Sequence, residues 1–307
     1  MTNKIISYKG FDSNLKCRDF QFEVGQTYTH AGAVKVCERG FHACENPWDV
    51  LSYYNIADSR FCVVEQSGDL QRHGDDSKIA SASITISAEL KLPDFVKSCV
   101  DWLLKTCSVG TEAASGDGSH IAASGYRSQL AASGDRSQLA ASGDDSQLAA
   151  SGNYSQLAAS GNYSRLAASG NYSRLAASGN YSRLAASGNY SRLAASGDRS
   201  QLAASGDVSH IAASGNHSRL AASGNHSRLA ASGDDSQLAA SGDGSLVMGS
   251  YGSRAKAAQN GAIALAWWDG TRPRIAVGYV GEGLEADTWY RLDDNGAFVA
   301  DSGKEAI

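Results

Sequence analysis

Between Ala113 and Val247 the chain repeats one nine-residue unit fifteen times without a break. The unit is Ala-Ala-Ser-Gly-x-x-Ser-x-Leu/Ile, closed by Val in the last copy, and AASGNYSRL at Ala158 to Leu166 is typical. A period this strict restricts the fold to stacked repeats, each too small to bury its apolar face alone.

Within a unit, a short apolar run ends in Ser-Gly-Asn/Asp, which reads as a strand followed by a turn. The glycine tolerates positive φ and the Asn or Asp can bond its own backbone, which together make a low-cost corner. Strand alternation puts Leu166 and Ala168 on one face and Arg165, Ala167 and Ser169 on the other. A helix would carry a Gly and two Ser in every unit, and its leucines would spiral around the axis. The expected fold is therefore mainly β: a nonapeptide-repeat β-solenoid with two repeats per coil, facing each other across a thin Leu/Ala core. Fifteen units make about seven and a half coils, or roughly 36 Å at about 4.8 Å per rung. Each buried Leu contributes on the order of 2 kcal/mol. A triangular coil of three units is the alternative.

The flanks are not repetitive. Residues 1–110 read as an α+β capping domain, 111–256 as the solenoid and 257–307 as a small C-terminal domain of β-hairpins. In the first, Ile5–Gly10, Gly40–Cys44, Arg60–Gln66 and Ser83–Leu90 read as strands. Asn46-Pro47 caps a short helix, and the apolar set Phe95, Val96, Cys99, Val100 and Leu103 marks a second over Pro93–Thr106. Gly74–Ser81 repeats the G-x-x-S-x-Ile-Ala pattern, so the first rung is expected there, with the second helix covering the open end of the core. After Val247 the period decays, and Ala262–Trp268 with Arg274–Val280, then Thr288–Leu292 with Ala297–Ala300, read as two hairpins. Trp267, Trp268, Trp289 and Tyr290 are assigned to the core of this end.

Net charge is −5, and the fifteen units carry nine Asp and nine Arg. A rod so balanced suits neither a phosphate-tracking surface nor a nucleic-acid mimic. No apolar leader follows Met1 and no run approaches the length of a membrane span, so a cytoplasmic product without membrane contact is expected. All six cysteines precede the array and read as free core thiols. Cys37, His42 and Cys44 lack the paired spacing of a zinc site, and the turns lack the dense Asp of calcium-binding nonapeptides, so no metal and no cofactor are expected. The array has no Thr, which argues against ice binding.

The variable columns carry whatever the rod recognises. With two units per coil, Tyr154, Tyr172 and Tyr190 stack on one edge and Tyr163 and Tyr181 on the other, while Arg165, Arg174, Arg183 and Arg192 follow the repeat serine. Tyr and Arg are enriched at binding hot spots, so these ladders are the candidate binding residues for a protein partner. Simple solvation of the edge is the rival explanation. His217 and His226 fall on opposite edges, and so share no metal.

The G-x-x-S-x-x-A rhythm resembles the head repeats of trimeric autotransporter adhesins and the repeats of ice-nucleation proteins, both β-solenoids. More of the chain is similar to uncharacterised phage and prophage proteins. The shared marks are Tyr8-Lys9-Gly10-Phe11-Asp12, Gly40-Phe41-His42-Ala43-Cys44-Glu45-Asn46-Pro47, Val64-Glu65-Gln66-Ser67-Gly68-Asp69, G-x-x-S repeats and Thr288-Trp289-Tyr290. This resemblance implies a phage product in the host cytoplasm that binds a host or phage protein, such as a defence component. The succession of Tyr8-Lys9-Gly10, Gly40-Phe41-His42 and a helix also resembles ADP-ribosyltransferase folds. That likeness would place NAD beside Lys9 and His42, with Glu65 as the glutamate and Lys9 standing where Arg or His is usual. The leading expectation is a non-enzymatic binding protein. The rivals are an NAD-dependent transferase and a structural virion part or homo-oligomeric rod.

Overall fold

The computed structural model describes residues 4–72, 76–107 and 112–301. The chain divides into two compact units, Met1–Trp102 and Leu103–Ile307.

In the first unit, seven strands run β1 (Ile5–Phe11), β2 (Lys16–Cys17), β3 (Phe20–Gln21), β4 (Thr27–Thr29), β5 (Phe41–Cys44), β6 (Arg60–Arg72) and β7 (Lys78–Leu90). The helices are α1 (Pro47–Val50) and α2 (Leu92–Cys107). The main sheet has the order β4-β7-β5-β1-β6, and β6 also pairs with β7, which closes a ring of antiparallel strands. Phe11, Phe22, Val64, Ile84 and Ile86 fill one core of this domain. Asn46 caps α1 as expected, its Oδ1 accepting from the Trp48 N–H at 3.0 Å. The apolar face of α2 packs within this domain: Phe95 stacks on Phe61 with ring centres 3.9 Å apart, and Trp48 Nε1 donates to the Cys99 carbonyl at 2.8 Å.

The expected first rung does not form at the G-x-x-S-x-Ile-Ala copy, whose Gly74 and Asp75 lie outside the described residues. Lys78–Leu90 is instead the long antiparallel partner of β5 and β6, with Ile79 and Ala80 fully buried. The reason is visible at its serine. Ser77 Oγ donates to Asp49 Oδ2 at 2.8 Å, so Asp49 of α1 holds this serine and the strand joins the domain sheet.

The second unit is the solenoid. Strands alternate between two parallel sheets, so that Leu148 pairs with Leu166 and Leu157 with Leu175, eighteen residues apart. Two repeats therefore make one coil, as the two-unit reading expects. We call the sheet holding Arg165–Ala168 the first and the one holding Arg174–Ala177 the second. Leu and the second Ala of each unit point inward and form one continuous cluster from Leu130 to Leu265. The two C-terminal hairpins also form. Pro273–Tyr279 adds antiparallel to Ala262–Trp268 at the end of the second sheet, and Tyr290–Leu292 with Phe298–Ala300 extends the first. Trp289 and Tyr290 are buried there, but Trp268 is 55% exposed, so it does not belong to that core.

The turn works differently from its sequence reading. The left-handed φ falls two residues after the repeat glycine, for example on Tyr154, Arg199 and Val208 at φ 58, 55 and 55 degrees. The glycine is needed for proximity instead: a Cβ on Gly179 would lie 2.2 Å from the Gly161 carbonyl oxygen of the preceding coil. The Asn or Asp that follows does not bond its own turn. Its Oδ1 accepts from the backbone N–H of its counterpart one coil on, at 2.8 Å for Asn180 and Asp198, and this ladder runs down both edges. The repeat serine points into the corner, where Ser173 Oγ donates to the Gly170 carbonyl at 2.7 Å. Tyrosines at the left-handed corner, and on the second sheet the residue after the serine with the first Ala, as in Gln156–Ala159 and Arg174–Ala177, are thus open to solvent.

Asn180→Ala is expected to remove the bond to the Asp198 N–H, which lies at the exposed edge, and to cost about 1 kcal/mol. Asn180→Asp should cost far less, because Asp198 already fills the same column. Urea unfolding, with faster amide exchange at Asp198, checks this.

Candidate functional site

Each tyrosine sits at the left-handed corner, just before a strand, so the eighteen-residue coil sets rings of successive coils face to face. Tyr154, Tyr172 and Tyr190 stack on the edge of the second sheet, with ring centres 4.9 and 4.8 Å apart and planes 4° from parallel. Tyr163 and Tyr181 stack on the other edge at 5.0 Å. All five are exposed, which places the sequence-predicted tyrosines on two opposite edges rather than in one cluster.

The arginines divide the same way. Arg174 pairs in register with Arg192 on the second sheet, and Arg165 with Arg183 on the first. Arg174 and Arg192 are exposed, whereas Arg165 and Arg183 are half-buried. On the second sheet the arginine column continues through His210 to Arg228. Burial and then the flanking Arg228 and Arg192 push the His210 pKa down, as expected of an imidazole inside a cationic column. A groove of about 380 Å³ runs between the columns, lined by Tyr154, Tyr172, Tyr190, Arg174, Arg192 and His210 among others. Beside it, the outward alanines of the second sheet, such as Ala158 and Ala176, are exposed. The first-sheet edge differs again: Arg199 covers Tyr181, its Nη1 donating to the phenol oxygen at 2.6 Å. The sequence reading missed Arg199, although its place one coil after Tyr181 was available from the period.

A ladder of this type suits contact along a line. Stacked rings cover one another's faces and offer their edges and hydroxyls outward, and the arginines beside them supply fixed donors. Such a groove fits an extended polar partner better than a base-stacking nucleic acid, which needs open ring faces.

The second set of sequence candidates lies in the N-terminal domain, and the structure brings only part of it together. Lys9 and His42 line one cleft, and Lys9 Nζ donates to the His42 carbonyl at 2.9 Å. Glu65 does not join them. It pairs with Ile6 across β1 and β6, whereas Lys9 pairs with Cys62, so strand alternation turns Glu65 to the opposite face. There it meets Lys4 at 2.7 Å. The Cys37, His42 and Cys44 set is also occupied otherwise: His42 Nε2 accepts the Cys37 backbone N–H at 2.9 Å, and Cys44 is buried, its thiol pushed up to about 12 chiefly by desolvation. Among the described residues, no helix is long and apolar enough to cross a membrane.

No curated protein and no solved structure matches the chain. Residues 5–98, the span of the N-terminal strands and the first turns of α2, match the model of a protein family described as a domain of unknown function (DUF7666).

Proposed function

We propose that this is a non-enzymatic binding protein whose solenoid recognises an extended segment of a partner protein through the Tyr and Arg columns of the second sheet. The observation that carries the reading is the in-register stack of Tyr154, Tyr172 and Tyr190 beside the exposed Arg174 and Arg192. A repeated surface gives many weak, equivalent contacts, and their sum gives affinity without any single deep pocket. By its resemblance to phage products, the partner is a host protein, a defence component being the reading that this resemblance favours. The transferase reading is weaker, because Glu65 lies away from Lys9 and His42.

The test is capture of partners from host lysate by the full chain and by two multiple variants. Changing Tyr154, Tyr172, Tyr190, Arg174 and Arg192 to Ala is expected to reduce capture at least tenfold, since several such residues at one interface act as hot spots. Changing Tyr163, Tyr181, Arg165 and Arg183 should reduce it much less. Equal capture by all three proteins, with unchanged circular dichroism, would remove the columns from consideration.

A further inference from the structure

The N-terminal cleft has a chemistry that the solenoid reading leaves unused. It is about 410 Å³ in volume, and its lining includes Lys9, Arg18, Lys78, Phe20, Phe41 and Tyr54. Lys9 is only 6% exposed, and among the described residues no carboxylate pairs with it: its two hydrogen bonds go to the His42 carbonyl and, at 3.5 Å, to Cys17 Sγ. A buried ammonium is normally paired with an acid, because removing it from water is costly. Here the surroundings are aromatic, with the rings of Phe11, Phe22 and Tyr54 between 5.4 and 6.0 Å from Nζ. One of Lys9's three N–H donors is left over.

Arg18 adds to the imbalance. Arg18 is exposed at φ 53 degrees, a left-handed conformation that only a few per cent of such residues adopt. Lys78, by contrast, is balanced: it donates to the Tyr53 hydroxyl at 2.9 Å and forms an ion pair with Asp76 at 3.9 Å. Glu38, the one acid among the described lining residues, is already engaged by Lys35 at 2.5 Å. Desolvation lowers the pKa of Lys9, and desolvation followed by the charges of Lys9, Lys78 and Arg18 lowers that of His42. Each shift has the direction that an anion in the cleft would reverse.

The walls are built to be flat. A Cβ on Gly10 would lie 2.3 Å from Cγ of Tyr54, so the glycine of Tyr8-Lys9-Gly10 is what lets that ring lie against β1. Phe20, in the lining, is 48% exposed.

We propose that this cleft is a binding site for a small organic anion with a flat apolar body, whose acid group meets Lys9 and Arg18 while its body lies among Phe20, Phe41 and Tyr54. The site needs no catalysis and is independent of the solenoid columns.

Calorimetry of the full chain with 2-naphthoate and with its neutral analogue 2-naphthamide tests this. The acid is expected to bind one per chain and the amide at least tenfold more weakly. Lys9→Met removes the charge while keeping a long apolar stem, so it should fold at least as well and should bring the acid down to the affinity of the amide. Arg18→Gln, an exposed change, should weaken the acid three- to fivefold and leave the amide unchanged; it decides the matter if Lys9→Met does not fold. Equal affinity for acid and amide, undiminished acid binding by the folded variants, or no binding of the acid at millimolar concentration would each overturn the proposal.

Discussion

Gly179→Ala is expected to damage the solenoid more than its single added methyl group suggests. The new Cβ would meet backbone, the Gly161 carbonyl oxygen at 2.2 Å and its carbon at 2.4 Å, and backbone cannot rotate aside. Relief requires the two coils to part, which lengthens the Asn162 to Asn180 ladder bond, now 2.9 Å, and the strand bonds beside it. Overpacking of this severity costs about 3 kcal/mol. Two residues further on the sign reverses. Val208 holds φ 55 degrees, and a β-branched residue is strained there, so Val208→Gly should stabilise by about 1 kcal/mol. Thermal unfolding of the two variants against the parent, together with limited proteolysis to locate the opening, checks both. A harmless Gly179→Ala would mean that the coils are further apart than described.

Leu175→Asp should have the largest effect of any single change in the array. Leu175 is 1% exposed at the centre of the rod, and its loss combines the missing apolar contact with an unpaired charge. The first effect alone is about 2–5 kcal/mol, and burial of an isolated carboxylate adds several more. The coils around it are expected to open as a local unit, because repeat stability passes between neighbours. Moving the same substitution by one residue supplies the control. Ala176 faces outward and is exposed, so Ala176→Asp should change the melting temperature by no more than a degree or two. Hydrogen exchange at Leu166 and Leu184, the flanking rungs of the facing sheet, reports whether the opening is local. If both variants melt alike, the inward and outward assignment of the strand is wrong.

How much of this was legible in the amino acids depends on how local the cause was. The unit itself encodes its strand, its inward Leu and its two-repeat coil, because period, alternation and turn lie within nine residues. The stacked tyrosines followed from the same arithmetic, and the structure places them accordingly. The role of Gly179 was hidden, since the atom it must avoid belongs to a residue eighteen positions away. The Asn ladder was hidden for the same reason: an Asn beside a turn looks self-sufficient until the next coil is known. At Ser77 the pattern matched the repeat, yet the partner was Asp49 on a helix, so the motif took a different fold. The charge imbalance around Lys9 could not be read at all, because β1, β5 and the segment holding Cys17 and Arg18 come together only in the tertiary structure.

The antiparallel hairpins after Leu265 have a consequence for how such a protein behaves in bulk. A parallel stack with identical rungs is its own template, and a bare final rung would accept another molecule end to end. Reversing the chain direction in both sheets breaks that match, because an incoming coil would meet strands running the wrong way. The array can therefore lengthen or shorten by whole coils while the antiparallel strands at this end stay the same.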